Sequence, residues 1–317
     1  MTGSVARELA REFGVETAIF ERDYLLNALV WANKGDVAAA YRKYIADGRT
    51  NAETIKKVIE SYFGEGLRPI SQNSVTPVLK VLDFACGYGR VGRHFRNVMP
   101  EVNYVGMDIH ADAVNFNRDK LGLQTLRSAH EIQDFYVSET FDFIFALSFF
   151  SHVRDEHFLG WLMELHALLN PGGILMISTH GRMSHRLLMP EVLVDARGYG
   201  MIVTSEQFDL STDFYIHAIT YREYVERMIA AVEELELLDF SEGYWFGHQD
   251  MYVLRNIAPA KRGKERRLKP VTSTLKRIIR AAARRSSSTL RDYLAARPGR
   301  SCSSGPATGA LVMIDGT

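Results

Sequence analysis

The chain has very little cysteine, and its two residues of this type, Cys86 and Cys302, are too few for a disulfide framework. No C-x-x-C pair and no Cys/His cluster occurs in the sequence, so no metal site is predicted. No apolar run reaches the roughly 18 residues that a membrane-spanning helix needs. No apolar stretch follows a basic start, as it would in a secretion signal. These absences predict a cytoplasmic globular enzyme in a reducing compartment.

The net charge of zero hides a strong asymmetry along the chain. Residues 1–256 carry 24 Lys and Arg against 35 Asp and Glu, whereas residues 257–317 carry 14 basic residues against 3 acids. An acidic body argues against a nucleic-acid partner, because such partners select basic surfaces. The basic tail is predicted to be disordered, with peripheral contact at the inner membrane surface as the alternative.

Three regions follow from the apolar patterns. Residues 1–66 are predicted to form a helical N-terminal segment, in which Thr50-Asn-Ala-Glu53 has the form of a capping box that starts a new helix. In residues 67–256 short apolar strands alternate with amphipathic helices, which predicts a parallel sheet built from βαβ units. Residues 257–317 form the basic tail.

The fold class predicted for the central region is α/β. We expect a doubly wound, Rossmann-like, seven-stranded sheet with an antiparallel final hairpin. The predicted strands are residues 78–84, 103–108, 124–127, 141–147, 173–179, 236–245 and 250–255. The predicted helices are residues 89–98, 111–120, 155–169 and 220–235.

The segment VLDFACGYGRVGR, residues 81–93, fits the fingerprints of two adenosine-containing cofactors. Gly87, Gly89 and Gly92 have the G-x-G-x-x-G spacing of a dinucleotide site, where glycines allow a tight turn and a close approach to the ligand. From Asp83 the same stretch reads D-x-x-C-G-x-G, the pattern of an S-adenosylmethionine site. The glycines alone do not separate the two.

Two acids near these glycines narrow the choice. Asp108 ends the next predicted strand, where a carboxylate can accept hydrogen bonds from both hydroxyls of a ribose, which both cofactors possess. Asp83 precedes the glycines, where an acid suits a cationic ammonium group better than a pyrophosphate. Asp83 therefore favours the methyl donor, and Gly92 is interpreted as a close-packing position on the following helix.

These segments together resemble the class I S-adenosylmethionine-dependent methyltransferases. Residues 81–89 resemble the first motif of that family, with Ala85 where glycine is more frequent, and Asp108 matches the ribose acid. Residues 141–148 match the fourth strand, and residues 168–178 match the L-x-P-G-G entry to the fifth. The resemblance implies a Rossmann-like transferase with S-adenosylmethionine as its cofactor.

A narrower similarity is carried by three short segments, residues 146–153, 178–182 and 248–255. Together they are similar to methyltransferases associated with glycosyltransferases and surface-polysaccharide pathways, which also have a helical segment before the first motif. This similarity implies a small-molecule or glycan acceptor.

The family resemblance also implies cofactor contacts. The residues concerned are Asp83, Ala85, Gly87 and Gly89 for the methionine part, Asp108 and Ile109 for the ribose, Ser128 and Ala129 for the adenine, and Leu147 and Ser148 for the sulfonium. The acid usual at the adenine position is missing or displaced to Glu131. Metal-using members place carboxylates after the fourth strand, where this sequence has none, so no metal is expected.

Methylation of a sugar hydroxyl benefits from a general base, and histidine suits this role near neutral pH. His152 follows the fourth predicted strand and His180 follows the fifth, at the edge where open α/β sheets bind ligands. One of the two is predicted to be the base. The alternatives are that His152 caps the next helix and that His180 bonds only to the backbone.

Other polar and aromatic residues are candidates for the acceptor side. Arg182 and His185 follow the fifth strand and are predicted to orient the acceptor. A later set of residues suits stacking against a sugar, with core packing as the alternative: Tyr215, His217, Tyr244, Trp245 and His248.

The sequence thus predicts methyl transfer from S-adenosylmethionine to a hydroxyl of a sugar or glycan intermediate. Three alternatives remain open at this point. One is a small-molecule N- or O-methyltransferase of secondary metabolism, and another is an NAD-dependent oxidoreductase, of nucleotide sugars or of another substrate. The third is a cofactor-binding module with no catalysis.

Overall fold

The computed structural model describes residues 2–64, 78–205, 207 and 210–259. From position 260 onward the predicted basic tail lies outside the described residues. The division of the chain into three regions therefore stays a prediction.

In the described part of the chain the α-helices are α1 Thr2–Phe13, α2 Tyr24–Ala32, α3 Val37–Phe63, α4 Gly92–Val98, α5 Ala111–Asp119, α6 Asp155–Ala167, α7 Arg182–Leu188 and α8 Arg222–Ala230. The strands in the same residues are β1 Leu79–Phe84, β2 Val102–Asp108, β3 Gln124–Arg127, β4 Phe141–Ala146, β5 Leu169–His180, β6 Tyr199–Ile202, β7 His217–Thr220, β8 Leu235–Trp245 and β9 Gln249–Asn256. Among the described helices, none combines the length and the apolar character needed to cross a bilayer.

The main sheet has seven strands in the order β3-β2-β1-β4-β5-β9-β8. Strands β1 to β5 pair in parallel, and β9 pairs antiparallel with both β5 and β8. This topology confirms the predicted Rossmann-like sheet with its final antiparallel hairpin. Because the strand order reverses between β1 and β4, the loops after these two strands flank the crevice where such sheets bind ligands.

Helices cover both faces of this sheet, and neighbouring residues of a strand point to opposite faces. On one face, α3 and α4 contribute Ile55 and Phe95, which belong to the same buried cluster as Phe145 of β4. On the other face, α6 and α8 contribute Phe158 and Tyr224. Burial of one such side chain contributes about 1.5–3 kcal/mol. Both faces of the parallel strands are therefore apolar, which explains their continuous hydrophobic runs.

The helical N-terminal segment is present, but the predicted helix start at Thr50 is wrong. Helix α3 runs without interruption through this position. The Thr50 hydroxyl donates to the Ala46 carbonyl over 3.1 Å, and Glu53 accepts from Arg49 Nε at 2.6 Å. Both side chains bond within the helix, so the capping-box pattern marks no helix end here. The true N-cap is Asp36, whose carboxylate accepts a backbone N–H of the first turn.

The chain between β5 and β8 contains elements that the apolar patterns do not predict. Helix α7 follows β5, and β6 and β7 form a separate two-stranded antiparallel sheet. The helix predicted over residues 220–235 is shorter, because α8 ends at Ala230. Strand β3 is equally short, but it follows a helix in the βαβ repeat, whereas β6 and β7 pair only with each other outside that repeat and so escape detection.

Gly92 opens α4 and allows a close contact between this helix and the sheet. A Cβ at this position would lie 2.3 Å from Tyr104 Oη. The Tyr104 hydroxyl in turn donates to Asp83 Oδ2 over 2.7 Å. The missing side chain therefore gives Tyr104 the room to reach Asp83, and Gly92 is a packing position as the sequence suggests.

We expect Gly92→Ala to lower the free energy of unfolding by about 1–3 kcal/mol, because the added methyl group overpacks the contact with Tyr104. Urea denaturation followed by circular dichroism measures this change. Gly3→Ala on α1 is the matched control, since its Cβ would meet nothing closer than an Arg7 side-chain nitrogen at 3.8 Å. A Gly92→Ala protein as stable as the wild type would contradict the packing role.

Candidate functional site

The loop between β1 and α4 is held by the buried carboxylate of Asp108, which is 5% exposed. The Gly87 N–H donates to Asp108 Oδ2 over 2.8 Å. The other oxygen, Oδ1, accepts the His110 N–H at 2.9 Å and lies 2.9 Å from His110 Nδ1. Hydrogen bonds to an ionised carboxylate are among the stronger ones in proteins. Asp108 therefore fixes the conformation of the loop through these hydrogen bonds.

The loop takes positive φ angles at Ala85 (61°), Gly87 (54°) and Gly89 (70°). A Cβ on Gly89 would lie 2.5 Å from Asn117 Oδ1, whereas a Cβ on Gly87 would meet no atom within 4 Å. Gly89 therefore serves packing against α5, and Gly87 faces open space beside Asp108. A nucleoside with an amino-acid chain fits such a space next to a buried carboxylate.

Asp83, at the end of β1, lies close to this loop and is 4% exposed. Burial raises the pKa of Asp83 to about 8, although the hydrogen bond from Tyr104 acts in the opposite direction. A carboxyl group in this state is neutral at physiological pH and gains from the arrival of a cation. The electrostatics therefore suit an ammonium group, which would stabilise the ionised carboxylate.

The residues predicted for the ribose and adenine follow β2 and β3. Ile109 and Ser128 are half-buried, as is Ala129. The Ser128 N–H donates to the backbone carbonyl of Asp108 over 2.9 Å. The turn after β3 is therefore tied to the end of β2, and these residues line one continuous edge of the sheet.

A hydrogen-bonded network fixes the loop after β4. Ser148, like Ala85, has a positive φ, here 62°, and its N–H donates to Ser178 Oγ over 2.7 Å. The Gln249 amide accepts from Ser178 Oγ at 2.8 Å and donates to Ser148 Oγ at 3.0 Å. Non-glycine residues in this φ region are strained and concentrate at functional sites. The half-buried Leu147 precedes Ser148, so the pair predicted for the sulfonium lies at this strained turn.

His180 ends β5 beside this network and is 7% exposed. Burial lowers its pKa well below the usual range, and the neighbouring imidazoles His152, His248 and His217 lower it further. Its Nε2 lies 3.3 Å from Gln249 Nε2. An amide N–H can only donate, so Nε2 is the accepting nitrogen and its lone pair is occupied.

His152 lies in a single 3-10 turn, Phe150–His152, after β4 and is half-buried. Its Nδ1 is 2.8 Å from the Ile216 carbonyl oxygen, so Nδ1 carries the proton. The unprotonated Nε2 lies 3.2 Å from the Tyr215 hydroxyl, and the Tyr215 ring stacks on the imidazole at 4.2 Å. Helix α6 has no side-chain cap, so His152 does not serve as one.

Four histidines form one cluster, called the histidine cluster: His152, His180, His217 and His248. The ring centroid of His152 lies 5.8 Å from that of His180 and 5.3 Å from that of His217. The ring centroids of His180 and His248 are 5.7 Å apart. His217 and His248 come from late elements, yet they meet the residues that follow β4 and β5. No three His, Cys, Asp or Glu residues within the described ranges are arranged to hold a metal ion.

Arg182 and His185, which are predicted to orient the acceptor, form bonds outside the histidine cluster. Arg182 donates to Glu223 at 2.6 Å. His185 has both ring nitrogens engaged, one by the Tyr221 hydroxyl at 2.6 Å and one by the Val192 carbonyl at 3.0 Å. The expectation that Arg182 and His185 orient the acceptor finds no support in these contacts, because both are committed to neighbouring side chains and backbone.

The aromatic and histidine residues predicted to stack against a sugar fall into two groups, those at the histidine cluster and those away from it. Tyr215 stacks on His152, and His217 and His248 belong to the histidine cluster. Trp245 is 3% exposed and belongs to the core, so the packing alternative applies to it. Tyr244 is 41% exposed.

Comparison with known proteins finds a match for the segment that runs from β1 into β5. Residues 82–175 match a family model described as a methyltransferase domain. The chain contains a methyltransferase domain. The match confirms the predicted enzyme class and its cofactor, S-adenosylmethionine, over the dinucleotide-dependent oxidoreductase.

Individual relatives are distant. The malonyl-[acyl-carrier protein] O-methyltransferase 2 of Ilyobacter polytropus is 26% identical over 107 residues, which cover 33% of this chain and 40% of that protein. The match therefore spans less than half the length of this curated relative.

Two solved structures are similar over most of their own length. The S-adenosylmethionine-bound amino pentose methyltransferase CalS10 of Micromonospora echinaspora is 16% identical, with 69% of this chain and 95% of CalS10 covered and a TM-score of 0.49. The 1,6-didemethyltoxoflavin-N1-methyltransferase of Burkholderia thailandensis is 15% identical, with coverages of 76% and 93% and a TM-score of 0.45.

Sequence reasoning missed several residues of the methyltransferase domain and its surroundings. Tyr104 bonds to Asp83, Asn117 donates to the Gly87 carbonyl over 2.8 Å, and Gln249 joins the turns after β4 and β5. Asn117 shows a usable signal, because it is a polar residue on the buried face of α5. Tyr104 and Gln249 act across strands and leave no local pattern.

The raised pKa of Asp83 predicts a pH-dependent affinity for the cofactor product S-adenosylhomocysteine. Below about pH 8 the carboxyl is protonated, and an ammonium group favours its ionised form, so affinity should rise from pH 6 to pH 8 and then level off. We expect a gain of about ten-fold or more over this interval, measured by isothermal titration calorimetry.

Asp83→Asn should flatten this pH dependence, and the exposed Asp119→Asn on α5 is the matched control. The same slope in the wild type and in Asp83→Asn would show that another group titrates.

Proposed function

We propose that this protein transfers the methyl group of S-adenosylmethionine to a hydroxyl of a sugar or glycan intermediate, with His152 as the general base. The observation that supports this role is the fixed tautomer of His152. The Ile216 carbonyl holds the proton on Nδ1, so Nε2 is the accepting nitrogen and accepts from a hydroxyl group, that of Tyr215, whose place an acceptor hydroxyl would take. A base oriented by a hydrogen bond on its far nitrogen is ready to accept the proton of an incoming hydroxyl.

His180 is assigned a positioning role rather than that of the base. Burial disfavours the protonated imidazolium that a base must become. The Nε2 of His180 accepts from the Gln249 amide, which Ser148 and Ser178 also bind, whereas the Nε2 of His152 accepts from the Tyr215 hydroxyl. His180 and Gln249 then hold the turn that contains Ser148, which the family resemblance places near the sulfonium. This arrangement assigns different roles to two histidines that sequence reasoning could not separate.

The cofactor residues proposed from the family resemblance fit the observed edge of the sheet. When bound, S-adenosylmethionine supplies an electrophilic methyl group. Asp83, Gly87 and Asp108 would bind its amino-acid and ribose parts, while Ser128 and Ala129 would lie by the adenine. Most of the rate of an in-line methyl transfer can come from holding the acceptor oxygen close and aligned, so the strained Ser148 turn would act through position.

The charges near the cluster favour a neutral acceptor. Arg182, predicted to orient an anionic or sugar acceptor, is ion-paired with Glu223, and the ring of Tyr215 offers an apolar face. A hydroxyl acceptor also carries the proton that the proposed base would remove. A small-molecule N- or O-methyltransferase is the second candidate. Membrane contact through residues 257–317 stays a prediction.

We expect S-adenosylmethionine and S-adenosylhomocysteine to bind the full chain with micromolar affinity or better and NAD to give no heat, in calorimetric titrations at equal concentrations. A screen of sugars, nucleotide sugars and lipid-linked glycans with methyl-labelled cofactor then identifies the acceptor. Malonyl-acyl carrier protein and small amines represent the other acceptor classes. Binding of NAD alone would contradict the proposal.

We expect His152→Ala to lower turnover by about 100-fold or more, because general bases contribute about 10²–10⁴-fold. S-adenosylhomocysteine affinity should stay within about two-fold, since the change leaves the cofactor residues intact. Labelled methyl transfer to the acceptor found in the screen measures the effect. His157→Ala on α6 is the control, and equal turnover in both variants would exclude His152 as the base.

A further inference from the structure

The segment of residues 14–23, called the strap, joins α1 to α2 and lies against the cofactor loop. It contains no helix or strand. Asn97 of α4 donates to the carbonyls of Phe13 and Gly14 over 3.1 and 2.8 Å, which fixes the start of the strap. Val15 and Thr17 are buried, at 9% and 6% exposure. A segment without regular structure is therefore held in one place by side-chain bonds.

Arg93, on the first turn of α4, connects the strap to the loop. Its guanidinium donates to the strap carbonyls of Glu16 (3.1 Å) and Ala18 (2.8 Å). The same group donates to the loop carbonyls of Tyr88 (3.2 Å) and Gly89 (3.1 Å). Arg93 is 5% exposed, so these bonds are shielded from water. One planar, multivalent donor therefore fixes the relative position of two irregular backbone segments.

An aromatic contact continues this connection toward the ribose side of the site. The Phe20 ring stacks on Tyr88 with centroids 4.6 Å apart and an 8° angle, and it meets Phe116 of α5 edge-on at 5.7 Å. Arg22 then pairs with Asp112, near the start of α5, at 2.7 Å. The strap thus reaches from the glycine loop to the helix that follows Asp108.

We propose that the strap is the outer wall of the cofactor cleft and that Arg93 is a positioning residue for the glycine loop. This inference rests on the proposed function, because it takes S-adenosylmethionine as the occupant of the cleft. The Gly87 N–H donates to Asp108 in the observed loop conformation, and Arg93 binds the adjoining carbonyls of Tyr88 and Gly89 in the same conformation. The Phe20 stack fixes the Tyr88 ring, and cofactor binding should in turn stabilise the strap.

Hydrogen exchange on the full chain tests the wall directly. We expect S-adenosylhomocysteine to slow amide exchange by about five-fold or more both in residues 14–23 and in the glycine loop. The reason is that a segment in contact with a bound ligand opens less often. Unchanged exchange in the strap, together with slower exchange in the loop, would overturn the inference and leave the proposed function intact. Failure of S-adenosylhomocysteine to bind at all would overturn both.

Three variants test the connection by calorimetry with S-adenosylhomocysteine. Phe20→Ala should weaken binding about two- to ten-fold, the range expected for a lost aromatic pair, and Phe20→Leu should recover part of it. Arg93→Lys should weaken binding about ten-fold, because an ammonium group cannot bridge four carbonyls. Trp31→Ala removes an aromatic ring that is 59% exposed on α2 and is the matched control.

Thermal unfolding of each variant separates a binding effect from a folding defect. If the Arg93→Lys protein does not fold, the affinity of Phe20→Ala and the hydrogen-exchange experiment test the proposal without it. Equal affinities for Phe20→Ala and Trp31→Ala would overturn the proposal.

Discussion

The bond between Asp108 and the glycine loop is the interaction on which the cofactor side of the site depends. One carboxylate oxygen accepts from the loop after β1, through Gly87, and the other accepts from His110 after β2. The backbone carbonyl of the same residue accepts from Ser128 after β3. Three strand ends therefore converge on one residue. Because buried polar groups without partners are costly, these hydrogen bonds favour the observed arrangement of the turns.

The sheet could be predicted from sequence because its strands are buried on both faces. Continuous apolar runs such as Phe141–Ala146 and a glycine loop next to an acid are local patterns, and their order along the chain gives the topology. Between β5 and β8, helix α7 and strands β6 and β7 could not be predicted, because they are short and lie outside the βαβ repeat that makes β3 recognisable. Thr50 shows the reverse error, because a motif typical of helix starts lies inside a helix held by its tertiary contacts.

The candidate site was predictable only in part, for a related physical reason. Strand ends are visible in sequence, and the histidines after β4 and β5 follow from them. The different roles proposed for them depend on what each ring nitrogen contacts, the carbonyl of residue 216 for His152 and the amide of residue 249 for His180. These partners are 64 and 69 positions away in the chain. No local spacing encodes such contacts, so the sequence left the two residues equivalent.

The amide bridge of Gln249 has a consequence for the order in which the site is assembled. The partners that shape the cofactor loop lie between residues 14 and 128, so a growing chain contains all of them early in synthesis. The turn that contains Ser148 depends on β9, which emerges from the ribosome more than a hundred residues later. The acceptor side of the site is therefore completed last, when the antiparallel hairpin pairs with β5 and closes the sheet.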